Sequence, residues 1–428
     1  MKLDKVIDKI LALTKEIKLH EPPNDSGFLR SFVTGKYAPF PGFSMKWWFT
    51  DNALEICKDI ATMAMNFDPH LKGGDTESFC SIIEEVFEKN ALKDEIFSTE
   101  FVFERKFGSL FQAIKNKKFA GKRMWEIIHQ ALTESIINWI ILYPLHRIKT
   151  QSVTIGFDSI SILKADDIKT WEQLCKPYFG ATLWDPSTGR EKTSDPQGPY
   201  FFYKPPETWL VCEVSGTASG ARKQAGKKMR TLLSVFFCHL FEEVPFLHLK
   251  SKMGEDSFII YSAQFSNNDR ELIAPIGGLI PRFIQDIDVT PTLISELKNW
   301  YEQRTSAPNE KAQRSTVASH FIHYGIMSDD DLQQFICFFI ALDALFGERN
   351  KTEQSIKKGL EQTFLGDKTW EQRAEKLFDL RSELVHGGAS SIEEWTQLEG
   401  YKQHFKSHPL NDVSIAAMTA FRNYFNLV

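Results

Sequence analysis

The run Phe335-Ile336-Cys337-Phe338-Phe339-Ile340-Ala341-Leu342-Asp343-Ala344-Leu345-Phe346-Gly347 governs the reading of the C-terminal part of this chain. Every helical face of it is apolar except at Asp343, and a helix apolar all round belongs in a core. Asp329, Asp330 and Asp331 stand where an N-terminal cap should, and Gly347 stands where a helix stops. One buried helix is therefore expected here. Asp343 is then a buried carboxylate, which is costly without a partner. Arg381 is the expected partner, held by Asp343 with its remaining donors turned to a ligand.

Outward from that run, residues 353–364 and 370–386 show helical spacing, the second stopped by Gly387, and a further helix opens near Asp412. Four helices over 309–428 make a compact bundle. Upstream, 149–308 changes pattern: 152–157, 159–163, 208–214 and 257–261 look like strands. Between the last two lies a helix over 219–241, basic in its first half and apolar in its second. Residues 185–206, rich in Pro, Gly, Ser and Thr, make a long loop. Residues 1–148 are mostly helical apart from a Pro/Gly-rich loop at 37–42, and the spacing over 122–143 predicts a helix stopped by Pro144. The expected fold class is a multi-domain chain, mainly α, with a central α+β region and an all-α C-terminal bundle.

At 428 residues the chain has room for two or three cores. Its net charge of −5 gives no global signature of nucleic-acid binding, although a local basic track would suffice. The 35 phenylalanines point to aromatic-rich helical cores. Cysteines 57, 80, 175, 212, 238 and 337 form no CxxC pair and no zinc spacing, so a reduced, cytosolic protein with buried thiols is expected. The N-terminus reads as a charged amphipathic helix rather than a signal peptide. The two greasiest runs, 136–145 and 335–346, fall short of the roughly 20 residues that span a bilayer, so both are expected as core helices. There is no P-loop, dinucleotide fingerprint, HExxH or nucleophile elbow. Gly216-Thr217-Ala218-Ser219-Gly220 has the place of a phosphate loop without its Lys-Ser ending, and reads as a strand-to-helix turn.

The stretch Leu380-Arg381-Ser382-Glu383-Leu384-Val385-His386-Gly387-Gly388 carries the chemistry. Arginine grips phosphate with a planar fork, and histidine titrates near neutrality. The spacing alone is weak, since Arg123-x5-His129 and Arg314-x5-His320 fit the same loose gap. Context separates Arg381 and His386: a helical run before them, an adjacent Ser382, and a Gly-Gly break that frees the space around His386. The bland reading is a structural ion pair with a helix-ending histidine favoured by the dipole.

The pair FIALDALFGE and LFDLRSELVHGG resembles the Apea-like branch of the HEPN superfamily, over residues 309–428. Residues 207–237 look, more loosely, like the sheet-and-helix segment that often precedes that domain. The resemblance implies a HEPN helical bundle and a metal-independent endoribonuclease, with Arg381 and His386 in its Arg-x4-His motif and Asp343 at the acidic position of the preceding helix. Ser382 would support them. RNA supplies its own nucleophile in the 2′-hydroxyl, so cleavage needs a base, an acid and positive charge on the phosphorane. One copy offers one histidine, and a two-fold homodimer would offer both. The products would be a 2′,3′-cyclic phosphate and a 5′-hydroxyl, with no cofactor and no metal. The branch is associated with bacterial antiphage defence and abortive infection, with tRNA or other structured RNA as substrate, and a phage-derived trigger acting on 149–308 as a sensing region. Candidate RNA contacts are Lys117, Lys118, Lys122 and Arg123, close in sequence to Phe111 and Phe119 and to Arg105, Lys106, Phe103 and Phe107, and, on the middle helix, Arg222, Lys223, Lys227 and Lys228. Such runs are more often solvated faces. The rival expectation is a non-catalytic HEPN module that binds RNA, a nucleotide or a partner protein.

Overall fold

The computed structural model describes residues 3–20, 30–34, 45–90, 95–98, 108–178, 184–187, 190–191, 206–241, 262–267, 270–273, 278–281, 283, 285–365 and 367–427. The expected loop at 37–42, the expected strand at 257–261, most of the loop at 185–206, and Phe103, Arg105, Lys106 and Phe107 lie outside the described residues. The chain is mainly helical with small sheets, and it divides into two compact units, Met1–Trp139 with Val214–Gln224, and Ile140–Glu213 with Ala225–Val428.

In the first unit the helices are α1 (Leu3–Glu16), α2 (Asp51–Phe67), α3 (Thr76–Asn90) and α4 (Lys117–Glu134). Strands β1 (Ile17–Lys18), β2 (Arg30–Thr34) and β3 (Met45–Phe49) form an antiparallel sheet with β3 in the centre. The α1 face that carries Val6, Ile10 and Leu13 is buried at helical spacing, as an amphipathic helix requires. Thr50 and Asn116 cap α2 and α4 by accepting the N–H groups of Ala53 (3.2 Å) and Phe119 (3.1 Å). The turn at Gly216–Gly220 is filled by protein: Thr217 Oγ1 donates to Asp75 Oδ2 (2.9 Å) and accepts the Gly220 N–H (3.1 Å). Burial pushes the Asp75 carboxyl up, but hydrogen bonds from Ser78 and Thr217 and the nearby Lys223 outweigh it and hold the carboxyl below its usual range.

Most of a six-stranded sheet lies in the second unit: β4 (Ile137–Pro144), β5 (Val153–Thr154), β6 (Ile160–Lys164), β7 (Thr208–Gly216), β8 (Ser262–Ser266) and β9 (Arg270–Ile273), in the order β9-β8-β4-β7-β6-β5. The expected hairpin is present, with Val153 opposite Ile162 and Thr154 opposite Ser161. One expectation fails. Residues 122–143 are not a single helix, and 136–145 is not a core helix, because α4 ends at Glu134 and the Ile137–Pro144 run is a strand inside the sheet. A strand covered on both faces reads as an unbroken apolar run, so its periodicity does not distinguish it from a buried helix. The β-branched Ile137, Ile140 and Ile141 are the signal that favours a strand.

Helix α5 (Ile168–Cys175) precedes β7, and α6 (Ala218–Leu240) follows it. After α7 (Pro291–Ser306) come α8 (Asn309–Met327), α9 (Asp331–Phe346), α10 (Thr352–Thr363), α11 (Thr369–His386), α12 (Leu398–Phe405) and α13 (Pro409–Asn423). Six helices therefore occupy the stretch where four were expected. Helix α8 hides its period because Ser315, Ser319 and His323 sit on its buried side. Asp330 caps α9, accepting the Gln333 N–H, as the aspartate run suggested. Aromatic contacts hold these helices: Trp300 against Phe421 at 5.1 Å, Phe339 edge-on to Phe378 at 4.8 Å, and Phe364 stacked on Trp370 at 3.9 Å. All six cysteines are free and buried.

Candidate functional site

Helix α11 positions the candidate site at its C-terminal end, where Arg381, Ser382 and His386 are all exposed. Gly387 stops the helix in the left-handed region (φ +79°). The Glu383 carbonyl there takes the N–H groups of Gly387, Gly388 (2.8 Å) and Ala389 (3.3 Å). The Gly-Gly break is thus a helix stop as well as an opening beside His386.

Five residues of α-helix advance about 7.5 Å and turn about 140° around the axis. Arg381 and His386 therefore point to different sides of one helix. Arg381 shares a face with Val385, which is 50% exposed, and lies over the Phe339 ring at 6.0 Å from its centre. Ser382, one turn before His386, shares the histidine's face, and so does Asp379, which is exposed and 3.6 Å from Lys376. The sequence reading passed over Asp379, although its seven-residue spacing from His386 marks it.

Asp343 departs from expectation. It is exposed, and it does not pair with Arg381. Helix α9 is not buried all round: Ile336, Ile340 and Ala344 form a half-exposed stripe, and Asp343 lies beside it. Its carboxylate folds back onto the end of its own helix, so that a Cβ added at Gly347 would sit 1.8 Å from Asp343 Oδ1. The buried carboxylate of this region is Asp412 instead, held by Arg373.

The two basic stretches differ. On α4, Lys117, Lys118 and Lys122 are exposed beside Phe119, which is 46% exposed, and Lys117 lies 4.6 Å from the centre of the Phe111 ring. Arg123 is held by Glu95 (3.4 Å) and Glu126 (3.3 Å). On α6, Lys223 pairs with Asp75 (3.5 Å) and Glu77 (3.4 Å), and Lys228 donates to the Asp158 carbonyl (3.0 Å). Arg222 is half-buried, while Lys227 is exposed. His320 is half-buried, and His323 is fully buried with Nε2 donating to the Leu279 carbonyl at 2.7 Å, so His323 does not open onto solvent.

Among the described residues no three His, Cys, Asp or Glu side chains converge as a metal site, and no helix is long and apolar enough to cross a membrane. The fold defines a mainly helical chain with a central six-stranded sheet and a helical C-terminal stretch. No protein-family model, no curated protein and no solved structure matches it. The likeness to the Apea-like HEPN branch rests on the two sequence motifs alone.

Proposed function

We propose that this chain is a HEPN-type, metal-independent endoribonuclease that acts as a homodimer, with Arg381 and His386 as its catalytic pair. One observation carries the reading: both side chains are exposed at the end of α11, and among the described residues neither is paired with a carboxylate. An arginine left unneutralised can take a phosphate, and an exposed histidine can exchange protons with an RNA 2′-hydroxyl or 5′-oxygen. Because the two diverge around the helix axis, one copy does not focus them on one phosphate. The half-exposed apolar stripe of Ile336, Ile340 and Ala344, together with Val385, supports a face on which a second copy packs. His386 of one copy would then act as base and that of the other as acid, with Arg381 on the phosphorane, giving a 2′,3′-cyclic phosphate and a 5′-hydroxyl. Lys117, Lys118, Lys122 and Phe119 would offer a track for RNA, the first three to phosphate and the ring to a base. In this reading the enzyme serves antiphage defence in the bacterial cytoplasm, and the upstream residues restrain it or sense a trigger.

The same divergence favours a second reading, a binding module of the same fold. There Arg381 on its Phe339 platform would hold RNA, a nucleotide or a partner protein, and His386 would do no chemistry. Incubation of the wild type and His386→Ala with total tRNA in EDTA separates the two.

A further inference from the structure

A groove remote in sequence from the Arg381–His386 motif lies where the start of α8, the end of α9 and helix α10 meet. Its volume of about 790 Å³ falls in the range of small-molecule sites. Four cations line it, Lys311, Arg314, Lys351 and Lys358, against two acids, Glu310 and Glu348. That balance runs against its surroundings, since residues 309–428 hold thirteen Lys and Arg against seventeen Asp and Glu.

The four cations have different duties. Arg314 caps the end of α9, donating to the carbonyls of Leu345 (3.1 Å) and Gly347 (2.9 Å). It thereby cancels the negative helix end that would otherwise repel an anion from this groove. Lys311 donates to the Leu427 carbonyl (3.1 Å) and lies 5.2 Å from the centre of the Tyr424 ring. Lys351 and Lys358 are exposed, and among the described residues neither is paired with a carboxylate. Their neighbour Lys357, on another face of α10, is held by Glu353 (2.8 Å) and Glu375 (3.5 Å). Glu353 of α10 and Glu375 of α11 are thus both engaged by Lys357 and not by Lys358.

Lys351 immediately precedes α10, and Lys358 lies on the face of that helix turned to the groove. Gln354, Ser355 and Gln362 fall on the same face and line the same groove. Each of the two lysine ammonium groups, in the same groove and on its own flexible stem, can take a phosphate of its own. Phe346 and Tyr424, packed edge-on with ring centres 6.0 Å apart, form the apolar floor of the groove.

We infer that this groove binds a ligand carrying two or more phosphate groups, with Lys351 and Lys358 on separate phosphates. A nucleoside polyphosphate and a single nucleic-acid strand share that chemistry. The test measures binding of the full chain to ATP, to a labelled oligouridylate and to inorganic phosphate. The oligouridylate arm uses His386→Ala so that the probe stays whole. The double substitution Lys351→Glu, Lys358→Glu is expected to weaken the bound probe by at least about tenfold. For the oligouridylate it also lowers the salt slope of log K by about 1.4, the value for two single-strand phosphate contacts. Lys357→Gln leaves affinity within about twofold, and thermal melting of the double variant confirms that it is folded, since both side chains are exposed. Loss confined to ATP names a free nucleotide, and loss confined to the oligouridylate names a strand. The inference is overturned if neither probe binds the unmodified groove, if both bind the double variant as tightly, or if inorganic phosphate competes as well as ATP.

Discussion

Arg373 and Asp412 form the buried ion pair that ties α11 to the start of α13. Asp412 is 2% exposed and also accepts the Tyr401 hydroxyl (2.6 Å) and the Ser407 hydroxyl (2.7 Å). Burial, with the Asp412 carboxylate beside it, pushes the Tyr401 hydroxyl far up. The arginine is covered by rings, 5.3 Å from the centre of Trp370 and 5.0 Å from that of Phe405. Removing one partner of such a pair strands the other charge.

Arg373→Met is therefore expected to lower stability by about 3–5 kcal/mol, read from urea unfolding. A loss below about 1 kcal/mol would show that Asp412 finds other partners.

The site residues behave in the opposite way. Arg381→Ala, Asp343→Asn and His386→Ala each alter an exposed side chain, and each should change stability by no more than about 1 kcal/mol. Unfolding of the Asp343 variant at a cost like that of Arg373→Met would restore the buried-pair view of Asp343.

Gly387 is in the left-handed region, and a Cβ there meets nothing within 4 Å. Gly387→Ala should thus cost only backbone strain, about 1–2 kcal/mol. The melting temperature should fall without loss of the cooperative transition.

His323 supplies a pH dependence. Burial drives its imidazole from the ordinary 6.5 down to about 4, against the hydrogen bond to Leu279 and with repulsion from Arg230 and His320 added. His320 is also lowered, by burial and by Arg230 and Lys227. The native state keeps His323 neutral while the unfolded chain protonates near 6.5, so the unfolded state binds more protons between those values. Stability is then full above pH 6.5 and falls as pH drops towards 4, by about 3 kcal/mol for His323 alone. Urea midpoints of wild type and His323→Gln across that window should converge as the pH falls. Parallel curves would remove His323 as the cause.

Much of the helical C-terminal stretch was legible because its signals are local. The cap at Asp330, the stop at Gly387 and the long apolar run of α9 each declare themselves within a few residues. What escaped depends on partners distant in sequence. The Ile137–Pro144 strand looks like a helix until its sheet neighbours are known, and α8 conceals its buried face behind serines and a histidine. The rule that a buried carboxylate needs an arginine holds, but it applies to Asp412 and Arg373 rather than Asp343 and Arg381. Which carboxylate is buried is settled by packing against α13, and no spacing within α9 reports that. The placement of Arg381, Ser382 and His386 on one helix end was legible, whereas the divergence of Arg381 and His386 follows only once the helix is continuous through both.

The central claim is tested most directly by the ends left on RNA. Purified wild type and His386→Ala are incubated with total tRNA in EDTA, and the cleavage termini are assigned. The account predicts cutting by the wild type alone, with 2′,3′-cyclic phosphate and 5′-hydroxyl ends, while His386→Ala stays folded and dimeric. Equal cutting by both proteins, or cutting that EDTA abolishes, would contradict it.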